Sequence, residues 1–195
     1  MVSVRDSRNC NAARIVVVLF VGMLLIPQYV PAQEARLSNF IITNTRDDLL
    51  LYLNVEGAFP NETKEAILSG VPTTFTFYIS LYRVRDFWYD EKIIDLEITH
   101  DIKYDSLKNE FTINRSWENG KTRVVASFEE AQKLMTDIDS LTIAPLSQLE
   151  KGKQYQIRAK AQLNEMTLPL YLHYVLFFVS LWDFETDWYT IDFLY

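Results

Sequence analysis

The sequence predicts a mainly β domain: an antiparallel β-sandwich, immunoglobulin-like or partly closed into a barrel, with two short helices. Three observations predict it. Residues 73–104 hold two long alternating runs, with Phe75, Phe77, Ile79 and Leu81 in one phase and Ile94, Leu96, Ile98, Ile102 and Tyr104 in the other run's apolar phase. Strict alternation describes a strand with one face buried and one face wet. Further alternating runs follow at short intervals separated by turn residues, the pattern of strands in hairpin order. Only two stretches carry helical spacing or caps, Asn61–Gly70 and Ser127–Ile138.

Arg36–Thr43 reads as a first strand, and Asn44-Thr45-Arg46-Asp47 supplies turn chemistry. Leu49–Glu56 follows, with Leu49, Leu51, Leu53 and Val55 in phase. In Asn61–Gly70, Asn61 is the expected N-cap and Gly70 the left-handed residue after the C-terminus, with Pro72 forbidding continuation. The two long strands come next, joined by the elbow Arg83–Glu91. Asp105–Asn109 makes a hairpin loop, and Glu110–Trp117 a strand with Phe111, Ile113 and Trp117 in phase. Asn119-Gly120 suits a type I′ turn, in which both central residues need positive φ. Lys121–Ala126 returns and completes a four-stranded meander from Thr73 to Ala126.

Ser127-Phe128-Glu129-Glu130 is a capping box. The helix it opens runs to about Ile138 and puts Ala131, Leu134, Met135 and Ile138 on one face, laid over an end or edge of the sheet. Leu141–Pro145 reads as an edge strand ended by proline. Gln154–Leu163 alternates cleanly, with Tyr155, Ile157, Ala159, Ala161 and Leu163 inward. Leu168–Leu181 is apolar on all sides and reads as a buried strand or irregular segment, with a membrane-touching loop as the alternative. Trp188–Tyr195 closes the chain as a strand. The cysteine–tryptophan–cysteine signature of antibody domains is absent, so the order of strands stays open.

The first 32 residues carry a different signal. Arg5, Arg8 and Arg14 precede the apolar run Ile15–Ile26, Pro27 breaks it, and Val30-Pro31-Ala32 has small residues where a signal peptidase cuts. Residues 1–32 are therefore expected to be a secretory signal peptide, and residues 33–195 a single β-sandwich domain in the periplasm. An uncleaved signal anchor facing the periplasm is the alternative, and only that form associates with a membrane. The run is short against the roughly 20 residues a spanning helix needs.

Net charge is −7 for the whole chain, and loss of Arg5, Asp6, Arg8 and Arg14 makes it −9. That argues against nucleic acid as a partner, which calls for a basic face. The one cysteine, Cys10, precedes the apolar run and leaves with it. The exported domain then has no thiol for a disulfide or a cysteine metal site.

No residue set fixes a reaction. The two histidines, His100 and His173, lie far apart and have no metal-ligand spacing. His100 sits in an apolar phase, where a hydrogen-bonded core histidine is expected. No G-x-S-x-G elbow, glycine-rich phosphate loop or basic stripe is present. No catalytic residue, metal or cofactor is therefore expected. The candidate surface is the elbow itself: Arg83, Arg85, Trp88, Tyr89 and Asp90 combine an aromatic anchor with a charged rim, the composition of a binding hot spot. The competing reading is structural, with Trp88 capping the sandwich end and Arg83 and Arg85 paired with Asp86, Asp90 or Glu91. Trp182-Asp183-Phe184 with Trp188-Tyr189 either adjoins the elbow or packs the other end.

An ordered set of features carries a family resemblance. It comprises the signal segment, Glu65–Phe77, the Arg83–Glu91 elbow and Ile102–Asp105. It continues with Ser127 and its helix, Ala144-Pro145-Leu146 with Leu149 and Gly152, Gln154-Tyr155, Leu168-Pro169-Leu170 and Trp182–Tyr189. Together these resemble the proteobacterial family of domain of unknown function 4390, from about Ala35 to Tyr195. Where members often show two tryptophans in the elbow, this chain has Trp88-Tyr89. The resemblance implies an exported bacterial protein of unestablished activity. Family genes often stand beside a membrane sensor histidine kinase, so it also implies an envelope or inner-membrane protein as partner. The expected function is a periplasmic binding or interaction module linked to envelope sensing. Its alternatives are an envelope enzyme using carboxylates near the elbow and a carrier of an apolar ligand.

Overall fold

The structure is a computed structural model that describes residues 35–163 and 185–195. Nine strands and two helices are described: β1 (Arg36–Asn44), β2 (Asp48–Glu56), α1 (Asn61–Leu68), β3 (Thr73–Arg83), β4 (Glu91–Asp105), β5 (Glu110–Arg115), β6 (Thr122–Val125), α2 (Phe128–Thr136), β7 (Asp137–Pro145), β8 (Gln154–Leu163) and β9 (Tyr189–Leu194). They form two antiparallel sheets, one ordered β1-β2-β7 and the other β6-β5-β4-β3-β8-β9. Among the described residues no ladder joins the two sheets, so the molecule is a sandwich and the barrel alternative falls.

The strand order is that of an immunoglobulin-type Greek key. Strands β1, β2 and β7 stand where that fold has A, B and E; β3, β8 and β9 stand where it has C, F and G; β4 to β6 extend the second sheet beyond C. A side chain supports the same assignment. Tyr155, near the start of β8, is fully buried, and its hydroxyl accepts the Glu150 N–H at 2.7 Å. This is the tyrosine corner of immunoglobulin-like sandwiches, made without cysteines. Two residues on, where antibody domains carry their second cysteine, stands buried Ile157.

The core lies between the sheets and follows the alternation. Leu51, Phe75, Phe77, Ile79, Leu81, Ile113 and Ile157 are all fully buried within one cluster. On the outward phase of β3, however, Thr76 and Ser80 are also buried, on a strand paired with β4 on one side and β8 on the other. A bulge between Leu81 and Tyr82 lets Ile93 stand as an extra residue on β4, which accommodates the Ile93-Ile94 pair.

Several local expectations are corrected. Pro60, not Asn61, occupies the N-cap of α1, with no side-chain cap; its carbonyl accepts the Lys64 N–H at 3.2 Å. Gly70 does take positive φ, +85°, and Gly70 N–H and Val71 N–H bond back to Ile67 and Ala66 as a Schellman close. Strand β5 ends at Arg115, and Trp117 lies in a 3-10 turn over Ser116–Glu118 instead of a strand. Asn119 and Gly120 do take positive φ, +52° and +76°. Ser127 caps α2 by accepting Glu130 N–H at 3.1 Å, but the helix stops at Thr136 and Ile138 is buried from β7. The Leu168–Leu181 run and His173 lie outside the described residues.

Candidate functional site

The elbow is the β3–β4 connection at residues 84–90. Its base is held from three strands. Arg83 pairs in register with Glu91 of β4 and with Tyr155 of β8, and Val84 N–H donates to the Gln154 carbonyl at 2.9 Å. Backbone ladders on both sides leave the two ends of the loop little freedom.

Side chains brace the same base. Arg83 Nε donates to Glu91 Oε2 at 3.0 Å, and its terminal nitrogens reach both Glu91 and Glu150. Arg85 donates to the same Glu91 oxygen. Hydrogen bonding from Arg83, then from Arg85, holds the Glu91 carboxyl below its usual range. Asp90 turns the other way and accepts from Arg158 of β8 at 3.0 Å. The Arg158 guanidinium lies over the Tyr82 ring, 4.3 Å from its centroid.

The tip is bare. Phe87, Trp88 and Tyr89 are 98%, 73% and 86% exposed. The Trp88 and Tyr89 rings stand 6.2 Å apart and edge to face, with planes at 79°. A groove of about 750 Å³ runs beside them, bounded by Arg85, Phe87, Trp88, Glu150, Lys153 and exposed Leu194.

Of the five residues singled out in the sequence, Arg83 and Arg85 converge on Glu91, Asp90 joins Arg158, and Trp88 and Tyr89 project. The structural alternative is therefore half right: the arginines do pair with an elbow acid, but Trp88 caps nothing. Sequence reasoning missed Glu150, Arg158 and Leu194, which reach the site only through the β3–β8 and β8–β9 registers. Phe87 stands in the same aromatic run but is not among the five, and it is the most exposed of the three rings. In the described part of the second aromatic cluster, Tyr189 does not adjoin the elbow. Tyr189 pairs with Ala159, five residues up β8 from Gln154, roughly 17 Å along the strand, and packs on Phe40 of β1 at 5.0 Å. Trp182, Asp183 and Phe184 lie outside the described residues.

This chemistry suits binding better than proton transfer. A general acid needs a raised carboxyl pKa, and Glu91 is pushed the other way. Asp90 is engaged by an arginine. Among the described residues no three of His, Cys, Asp and Glu gather as a metal would need. The described interior is filled by large side chains, with Phe75 and Phe77 centroids 5.2 Å apart and Phe77 4.9 Å from His100.

Neither the curated proteins nor the solved structures contain a match to this chain. A family profile does match, over residues 32–192, which takes in strands β1 to β8, the first part of β9 and the whole elbow. The chain belongs to the family described as Domain of unknown function (DUF4390).

Proposed function

We propose that this protein is an exported, periplasmic binding module without catalytic activity, tied to envelope sensing, that engages its target through the Arg83–Glu91 elbow. The carrying observation is three successive aromatics, almost fully exposed, on a base braced by Arg83, Glu91 and Glu150. A loop tip that buries nothing adds little to folding, while a cross-braced base presents it with little entropy left to lose on binding.

Crosslinking and pull-down from native envelopes tests the reading. Trp88→Ala is expected to weaken capture of the target by about 2 kcal/mol, roughly thirtyfold, because aromatic anchors dominate interfaces. Its folding stability should stay within about 0.5 kcal/mol of the parent, since Trp88 is exposed. Arg85→Glu should weaken capture of a protein target more at low salt than at high salt, as a screened rim charge does. A destabilised Trp88→Ala protein that still binds its target fully would end the case for the elbow.

A further inference from the structure

We infer that the elbow's target is the lipid–water interface of a membrane, into which Phe87, Trp88 and Tyr89 insert; this rests on the elbow being the binding surface. The shape of the tip favours a fluid target. Phe87 at 98% exposure touches almost nothing of its own protein, and its two neighbours are nearly as free. The Trp88 and Tyr89 planes diverge by 79°. A rigid protein pocket has to match each divergent ring separately and enclose all three. A fluid interface makes no such demand and surrounds every ring it admits.

The residue types at the tip are those of an interfacial anchor. Tryptophan and tyrosine concentrate at the headgroup level of bilayers, where one end of the ring is apolar and the other keeps a hydrogen bond. Phenylalanine has no polar atom and suits the deepest position. Leu194, exposed beside the same groove, widens the apolar contact. Loops and helices that lie in the interface bury their apolar side about 5–10 Å deep.

Charge at the base selects the kind of lipid. At the base of the tip Arg83 and Arg85 face Glu91 and Glu150, and Asp90 faces Arg158. The base is thus neutralised internally, on a chain whose formal charge is −7. Lys153 and Asp86, which also line the groove, offset each other in charge, so the site carries no net positive charge for an anionic surface. Insertion of the aromatics therefore supplies the binding, and zwitterionic lipid suffices.

The test uses the protein as isolated from cells, with vesicles of phosphatidylcholine alone or with a third of the lipid as phosphatidylglycerol. Brominated acyl chains should quench its tryptophan emission on both, with little effect of added salt. Trp88→Phe should keep vesicle binding and lose most of the quench. Replacing Phe87, Trp88 and Tyr89 together by alanine should weaken vesicle binding at least about tenfold, with the melting temperature unchanged. Unquenched Trp88 overturns the lipid inference. If envelope pull-down of a protein target then still depends on Trp88, the elbow survives as a protein-binding surface. If neither depends on Trp88, both readings fall. Binding confined to the anionic vesicles and abolished by salt also overturns the inference, because it marks adsorption by charge without insertion.

Discussion

His100 occupies a strand position that the apolar alternation reserves for the core, and it is fully buried. Its Nδ1 lies 2.9 Å from the Met135 carbonyl, which only accepts, and its Nε2 lies 3.0 Å from the Trp117 indole nitrogen, which only donates. The ring is thus neutral with its proton on Nδ1. Burial pushes its pKa down to about 4, and nearby Arg115 adds to the drop against the opposing pull of Met135 and Glu118. The unfolded value is 6.5, so the stability this neutral ring contributes is complete above about pH 6.5 and is lost as pH falls toward 4. The slope is roughly 1.4 kcal/mol per pH unit and the total about 3 kcal/mol. Urea unfolding at a series of pH values should show that decline, and His100→Gln should flatten it between about pH 6.5 and 5, above the range where carboxylates titrate. One strand away, Phe77→Ala should cost about 3–5 kcal/mol by denaturant unfolding. Thr76→Ala should cost under 1.5 kcal/mol, although Thr76 too is buried, because it loses little volume. Equal costs at the two positions would mean the register of β3 is wrong.

Among the elements, the clearest lesson comes from Arg115 to Gly120. The alternation through Phe111 and Ile113 points Arg115 inward, where its side chain is almost fully buried. A buried guanidinium needs partners. The chain therefore leaves the strand after Arg115, and the 3-10 turn brings Glu118 to Arg115 at 2.8 Å and the Trp117 indole to His100. A period count cannot anticipate this, because it weighs Trp117 only as one more apolar residue in phase. The early stop of α2 has a similar cause. Asn54 of β2 bonds to the Asp137 carboxylate, and pairing with β2 takes Ile138 out of the helix that its spacing suggested. The β7–β8 corner makes a sharper forecast. Tyr155→Phe keeps the ring and removes only the acceptor for Glu150 N–H. It should cost about 1–3 kcal/mol in urea unfolding, the penalty of stranding a part-buried donor. A cost near zero would show that water replaces the hydroxyl and that the corner is not a structural lock.

On the scale of the whole molecule, the Greek key sets what the two ends of the sandwich carry. Strand β1 enters beside Glu56 at the end of β2, whereas the elbow adjoins the start of β8, which follows the end of β7. The entry of the chain and the aromatic tip are thus separated by the strand length, about 30 Å. The proposed export is open to a direct reading of the N-terminus. Mass spectrometry of the native protein should find Gln33 as its first residue, since residues 1–32 carry all three regions of a cleavable signal. Recovery of the intact N-terminus would make this a tethered protein.

By itself the sequence determined what is periodic and local. The alternation of β3, β4 and β8, the meander, the Ser127 cap, the left-handed Gly70 and the Asn119-Gly120 turn all depend on residues a few positions apart, and short-range sterics and burial dictate them. It also marked the elbow, because an aromatic anchor inside a charged rim is legible in the residue types alone. Tertiary structure alone decided the assignment of strands to sheets, the burial of Thr76 and Ser80, the fold-back at Arg115 and the bracing of Arg83 by Glu150. Each of these depends on parts of the chain that only folding brings together: even the fold-back at Arg115 is fixed by the Asp137 carbonyl and by His100. The exposure of Trp88 belongs to the same class: an aromatic reads alike in sequence whether it fills a core or faces solvent, and only the packing around it tells which.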